Sequence, residues 1–404
     1  MSSLVDESSG HSRRALGLLY ARSISSSLAL GASQPFIAVY AATLGASPVT
    51  IATLHATMNL FTSAVQTLWG RLSDASGRRV PWIVAGSLLA AVTWVPAMLT
   101  RSPEQFVLIM ALRFVALSMT TPTSTALLAD ISEPEERQAL IARTQIWGTV
   151  GAASATITVG LSQLAGLNGY EVGFAIAMAA EAISGIVMIP FKEVPRPNRT
   201  LEPLLAFTAN SPYVAYLAVN TTYIFFMSIA WPLFTITIAE VARLDVFTIA
   251  MMNVLSDASS LVTLMLLTRT NLDFPSTVTV LAATRASFAV VPLVYGFLPS
   301  PPYLIGINLM TGAMISLNNT LSTLYLLAIV SPENRATLTA LANLAQGVAS
   351  FLGSMTGGLL VEAVRPSMGL AGALIAVYLL SSAGRVVLGA LHLRLKRGGQ
   401  VGGG

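Results

Sequence analysis

The chain has 404 residues and no cysteine, which excludes disulfides and thiolate metal sites. Its three histidines, His11, His55 and His392, lie too far apart to suggest a metal centre. Charge is scarce as well. Asp, Glu, Lys and Arg make up 10% of the chain against 54% hydrophobic residues, with a mean hydropathy of +0.71. A soluble chain of this length needs far more charge to cover its surface, so the composition fits a lipid bilayer as solvent. No Gly-x-x-x-x-Gly-Lys-Ser/Thr loop is present, which argues against an ATP-driven pump. No polar loop gathers paired carboxylates or histidines, so the chain reads as a non-enzyme without a cofactor and without a nucleic-acid partner.

What is present is a series of apolar runs. A membrane helix needs about 20 mostly apolar residues. Charge clusters and Pro/Gly turns punctuate the chain into twelve such segments, over 15–44, 48–70, 81–100, 103–130, 137–167, 170–191, 210–240, 244–267, 276–298, 301–330, 334–362 and 367–393. With both termini in the cytoplasm, fifteen Lys/Arg fall in inner loops and tails and three (Arg101, Arg243 and Arg365) in outer loops. That asymmetry sets the orientation. No cleavable signal peptide is expected. The polar leader and "GGQVGGG" read as disordered tails.

The polar stretch "KEVPRPNRTLEP" lies near the midpoint and reads as a linker. The expected organisation is a cytoplasmic tail (1–14), a six-helix bundle (15–191), a cytoplasmic linker (192–209), a second six-helix bundle (210–393) and a cytoplasmic tail (394–404). "PEERQAL" at 134–140 and "PENRATL" at 332–338 match at Pro, Glu, Arg and Leu, 198 residues apart, each opening an equivalent helix of its half. Proline in the first turn and glutamate beside it suit any helix start. Their spacing at half the chain length points to duplication, a known transporter architecture.

"GRLSDASGRR" at 70–79 concentrates charge around two glycines. It resembles the loop between helices two and three of the major facilitator superfamily, matching at Gly70, Leu72, Asp74, Gly77, Arg78 and Arg79. Arg113 is similar to the arginine of the family's fourth helix. "DISEPEER" at 130–137 resembles its helix 4–5 junction, with Asp130 and Arg137. "GASQPFIAVYAATLGAS" at 31–47 resembles the first helix of drug-exporter-like members. "GTVGAASATITVG" at 148–160 departs from antiporter members in lacking their proline. The resemblance implies an all-α membrane protein with twelve transmembrane helices in two pseudo-symmetric six-helix bundles. It also implies a cytoplasmic latch, with Asp74 near the helix start at 331–335 and Arg78 paired with Asp130. Gly70 would allow close helix approach and Gly77 a tight turn.

Charges within the spans cost a few kcal/mol unless paired or wetted. Arg22 and Arg385 lie near helix ends and read as snorkelling or structural ion pairs. Asp257 and Glu181 are the carboxylates at mid-span depth and are the candidate proton-coupling residues. Arg113 and Arg285 are candidates to bind an anionic substrate or to pair with those acids. Gln34, His55, Asn59, Gln145, Asn220, Asn308 and Asn343 are candidate cavity residues, although any one such residue is more often an interhelical hydrogen bond than a substrate contact. The expected function is secondary transport of a small molecule across the cytoplasmic membrane by alternating access. Proton-coupled export of drug-like or amphipathic compounds leads. The alternatives are uptake or exchange of an anionic metabolite, and a non-transporting receptor of the same fold. The expected partners are the substrate, protons and the lipid bilayer, with the chain a monomer.

Overall fold

The structure, a computed structural model, describes residues 2–131, 134–193, 211–267, 269–270, 273–330 and 335–395. Within these, the side chains of residues 2–14, 64, 67, 74, 129–131, 134–142, 145, 211, 327, 335–337 and 340 lie outside the description. The helices run α1 (Ser2–Thr43), α2 (Pro48–Leu60), α3 (Gln66–Ser76), α4 (Val80–Leu99), α5 (Pro103–Ile131), α6 (Pro134–Leu164) and α7 (Gly169–Ile186). They continue with α8 (Ser211–Ile229), α9 (Trp231–Ile236), α10 (Val246–Leu267), α11 (Phe274–Ser287), α12 (Val290–Phe297), α13 (Pro301–Ile329) and α14 (Arg335–Leu391). Among the described residues there is no strand. Among the described residues, six segments are long and apolar enough to cross a membrane: Val80–Leu99, Pro103–Leu128, Pro212–Val241, Val246–Leu267, Phe274–Phe297 and Leu341–Leu395.

Helix starts follow local chemistry. Ser47 accepts from the Thr50 amide at 3.1 Å, just before Pro48. Asn168 accepts from Tyr170 N at 3.1 Å and donates to Glu171 at 2.9 Å. Asp273 accepts from Ser276 N at 3.0 Å. Each side chain takes a backbone donor that the first helical turn leaves without a partner. α1 opens at Ser2, so the polar leader continues into helix, where the sequence suggests a disordered tail. The terminal "GGQVGGG" lies outside the described residues.

Three expected single helices are interrupted. π-helical turns occupy Phe61–Val65 and Thr237–Val241, and α11 and α12 are separate helices. The last two expected spans are the two helical parts of α14, which meet at Gly369, where the backbone leaves the helical conformation (φ 69°, ψ 175°).

Three prolines share a signature. A proline has no N–H, so it frees the carbonyl four residues earlier. Pro35 frees Gly31, whose oxygen takes Thr156 Oγ1 of α6 at 2.8 Å. Pro232 frees Ser228, whose oxygen takes Ser354 Oγ of α14 at 3.4 Å. Pro292 frees Phe288, whose oxygen takes Arg385 Nη1 of α14 at 2.8 Å. A neighbouring helix supplies a donor to each of these carbonyls, and that of Phe288 also accepts from Val291 N at 3.3 Å. Arg385 is 1% exposed and also donates to the Met227 carbonyl at 2.9 Å. It is therefore a buried brace, and the expectation that it snorkels is corrected. Deep burial overrides its nearness to the helix end.

The chain divides into two compact units, Met1–Ile37 with Val65–Glu202, and Ala38–Ala64 with Pro203–Gly404. The first boundary after α2 falls in the π-helical turn Phe61–Val65. In the first unit α4 packs on α5 and α7, while α1 crosses α6, where Gly31 lets the Ala152 backbone approach. In the second unit α14 packs along α8 and α2, and α10 along α13. Gly353 and Gly357 sit against the Phe225 and Ile229 carbonyls, and Gly312 against the Ser256 backbone, so these glycines are helix contacts without chemistry.

Candidate functional site

In the first unit, Arg113 of α5 is fully buried. Its Nη2 donates to Glu181 Oε1 of α7, forming an ion pair. Trp94 of α4 completes the centre. Its Nε1 donates to Glu181 Oε2 at 3.0 Å, and its ring face lies 4.5 Å from the guanidinium carbon. Phe174 stacks on Trp94 at 4.8 Å. Two expected candidates of different roles, Arg113 and Glu181, are thus partners of each other. Arg113 Nε and Nη1 make no hydrogen bond among the described residues and lie over the aromatic face.

In the second unit, Arg285 of α11 is 1% exposed. Its Nε donates to Asn318 Oδ1 at 3.0 Å, and its Nη2 to Asn220 Oδ1 at 2.6 Å and Ser322 Oγ at 2.9 Å. Its Nη1 donates to His392 Nε2. His392 Nδ1 lies 2.7 Å from the Leu388 carbonyl, so Nδ1 carries the hydrogen and Nε2 accepts. Tyr223 places its ring 4.8 Å from the guanidinium carbon and donates its hydroxyl to the Arg285 carbonyl at 3.1 Å. Among the described residues no carboxylate touches Arg285. Four neutral acceptors and a ring face hold the charge.

Asp257 is placed differently. It is exposed, and no hydrogen bond or ion pair involves it among the described residues. It lies about 16 Å from one end of α10 and about 15 Å from the other at 1.5 Å per residue. One turn earlier, Asn253 Nδ2 donates back to the Ile249 carbonyl at 2.9 Å.

The remaining candidates scatter. His55 Nε2 meets Thr235 Oγ1 at 3.2 Å. Asn308 donates to Tyr295 Oη and to the Leu304 carbonyl, both at 2.8 Å. Asn59 Nδ2 is buried without a partner among the described residues. Gln34 and Asn343 are exposed. Asn220 serves Arg285, and the side chain of Gln145 lies outside the described residues.

In the 70–79 loop, Gly77 adopts φ 64°, the left-handed turn a glycine permits. Pro122 is the neighbour across from Gly70, at an ordinary contact distance of 3.6 Å. Leu72 and Arg78 are exposed, and Arg79 Nη1 donates to Ser73 Oγ at 2.7 Å. The side chains of Asp74, Asp130 and Arg137 lie outside the described residues. Glu193, at the start of the linker, accepts from the Arg79 amide and from Val80 N at 2.9 Å, capping α4. Sequence reasoning missed Glu193, Trp94, Asn318, Ser322, Tyr223 and His392. Asn318 and Ser322 carried a signal, since their i, i+4 spacing puts two polar groups on one face of an apolar helix.

Comparison with known proteins follows the same lines. The Major Facilitator Superfamily model matches residues 22–218. A solved structure of the nucleoside transporter NupG, in a mutant form, superposes with a TM-score of 0.76 at 16% identity, covering 94% of this chain and 99% of that one. The fold is that of the major facilitator superfamily. A bacterial homologue of the human lysosomal transporter Spinster, inward-facing and occupied, gives a TM-score of 0.69 at 16% identity, over 95% and 96% of the two chains. A structure of proton-dependent oligopeptide transporters gives 0.73 at 12% identity, over 96% and 99%. No curated protein matches the sequence. Together these findings show a likeness to the superfamily over residues 22–218 and a shared fold over nearly the whole chain.

Proposed function

We propose that the chain is a secondary transporter. It moves a small amphipathic molecule out across the cytoplasmic membrane by alternating access of two six-helix bundles, twelve membrane helices in all, driven by protons. The observation that carries this reading is Asp257, an exposed carboxylate at the middle of a membrane-crossing helix. An acid there costs about 3 kcal/mol in lipid and is tolerated where it faces water or exchanges a proton. Glu181 is the weaker proton carrier, because Arg113 and Trp94 hold both its oxygens. The arginines lend no support to an anionic substrate. Arg113 pairs with Glu181, and Arg285 is enclosed by protein acceptors.

In this reading the 70–79 loop is the cytoplasmic latch, Asp74 meeting the helix start at 331–335 and Arg78 meeting Asp130. The protein works as a monomer with both termini inside.

The test is transport in proteoliposomes under an imposed pH gradient, against a panel of cationic, neutral and anionic solutes. The gradient accelerates movement of the substrate, and Asp257→Asn abolishes that acceleration while the protein remains folded. Gradient-driven transport undiminished in Asp257→Asn refutes the assignment. Saturable binding without any transport across the panel favours a receptor.

A further inference from the structure

The second unit holds a groove that no residue of the candidate site uses. It lies between α8 and the first part of α14, both within membrane-crossing segments, and encloses about 450 Å³. That volume suits a small molecule. The local sequence explains the gap. Gly353 and Gly357 bring α14 against the Phe225 and Ile229 carbonyls, backbone to backbone. Nearer the start of α14 its side chains set the helices apart. Ala345 and Ala349 face the space and are too small to fill it. Val348 (42% exposed) and Leu352 (51% exposed) stand at its lip.

The lining is apolar except for Thr221 and Thr222 of α8. A threonine in a helix commonly returns its hydroxyl hydrogen to a carbonyl of its own helix. Thr222 does so, donating to the Ala218 carbonyl at 2.8 Å, as do Thr57 and Thr311 to theirs. Thr221 departs from this habit. Its Oγ1 is buried and has no partner among the described residues. An unpaired buried hydroxyl is costly, and a ligand group that meets it removes the cost. A turn about Cα–Cβ between staggered positions carries that hydroxyl to the groove without moving the helix.

Charge complementarity decides the class of occupant. α8 carries no charged residue, and on α14 none falls between Arg335 and Glu362. A charged ligand would give up its water here and find no countercharge. Depth decides its source. Thr221 lies about 13 Å inside the Pro212 end of its span at 1.5 Å per residue. The polar head of a bilayer lipid stays outside the hydrocarbon core and does not reach it. Thr222 Oγ1, its hydrogen spent, can only accept, whereas Thr221 can also donate. The complement is a group that both gives and takes a hydrogen. We propose that this groove binds a small neutral lipophilic alcohol, its hydroxyl on Thr221 and its hydrocarbon body along Phe225, Ala345 and Ala349. Binding rests on the groove alone and not on the transporter reading, so the failure of either leaves the other standing.

The probe is a medium-chain alcohol carrying a photoreactive diazirine, applied to the full-length protein in lipid nanodiscs, with mass spectrometry locating the attachment. The proposal expects saturable labelling within residues 221–225 and 341–352, displaced by the unlabelled alcohol. The alkane of the same length competes about two- to tenfold less well, the worth of one hydrogen bond. The corresponding carboxylate and ammonium compete at least about tenfold less well. Thr221→Val keeps the shape, weakens the alcohol by the same two- to tenfold and leaves the alkane unchanged. Val348→Trp adds bulk at the exposed lip and weakens both. Equal thermal stability of the three proteins ties these losses to the groove. Labelling that does not saturate or falls elsewhere, charged analogues that compete as well as the alcohol, or an undiminished preference for the alcohol in Thr221→Val overturns the site. Saturable labelling of the groove by a photoreactive phosphatidylcholine that the alcohol does not displace assigns it to bilayer lipid and overturns the proposal as well.

Discussion

Breaking the Arg113–Glu181 pair from either side has different consequences, and the difference follows from which charge is left behind. Both side chains are buried, so a lone partner keeps its desolvation cost without its Coulombic return. Arg113→Met leaves the Glu181 carboxylate with Trp94 Nε1 as its remaining donor. Its cheapest relief is to hold a proton. From the ordinary glutamate value near 4.3, at 1.36 kcal/mol per pH unit, that relief costs about 3.7 kcal/mol at pH 7 and about 1 kcal/mol at pH 5. The sign follows from linkage. The folded variant holds a proton that the unfolded chain releases, so stability falls as pH rises from 5 to 7, by about 2.7 kcal/mol. Glu181→Leu leaves the guanidinium, which has no neutral form to fall back on. It costs about 3–5 kcal/mol at every pH in that window. The double variant Arg113→Met/Glu181→Leu removes both charges and costs less than either single change at pH 7, since apolar residues of similar volume fill the same space. Reversible unfolding in mixed micelles at pH 5, 6 and 7 gives the four free energies of the cycle. Additive single costs, or an Arg113→Met variant whose deficit does not change with pH, refute the account of a dry, closed ion pair.

Other features yield narrower tests. Arg385→Met strips its donors from the Phe288 and Met227 carbonyls; Phe288 keeps its bond from Val291 N, so the cost, about 1–3 kcal/mol in the same unfolding assay, falls on the Met227 carbonyl. Glu193→Ala removes the cap from the Arg79 and Val80 amides and destabilises the start of α4 by about 0.5–2 kcal/mol, seen as faster hydrogen exchange at Val80. The Asp273 carboxyl, held below its ordinary value by its bond from Ser276, contributes protection to the start of α11 that is present above pH 4 and lost as the pH falls through the lowered value. The protection of the Ser276 amide, measured against its intrinsic exchange rate, therefore falls on acidification, and in Asp273→Ser it does not respond to pH in this way.

How much of this was legible in the sequence depends on the range of the interaction. Helix limits were, because they are set by neighbours in the chain. "LGASP" predicted a boundary at 44–48, and the structure places a turn at Gly45 and a cap at Ser47 there. The fold class was legible for the same reason. The interior breaks were less so. A π-helical turn at Phe61–Val65 has no proline to announce it, whereas the freed carbonyls at Gly31, Ser228 and Phe288 follow directly from Pro35, Pro232 and Pro292. Their donors could not be read in advance, because Thr156, Ser354 and Arg385 arrive from helices more than 90 residues away.

The site was legible as residue types and illegible as pairings. Arg113, Glu181, Asp257 and Arg285 stand out from the sequence by the cost of a charge in an apolar run. Whether each cost is met inside the protein or left for a ligand is a tertiary property, and the two units meet it differently. The first closes Arg113 with an acid, so its charge is balanced without help. The second encloses Arg285 in dipoles, with His392 restricted to its accepting tautomer, and leaves its acid, Asp257, outside on α10. If the halves descend from one duplicated ancestor, one half has kept its charges coupled and the other has separated them. A separated pair has a consequence that a coupled one lacks. In the proposed carrier the acid can take up and release a proton without breaking the packing around the arginine. That freedom, and not the presence of charge as such, is what the proposed mechanism asks of a residue at the middle of its span.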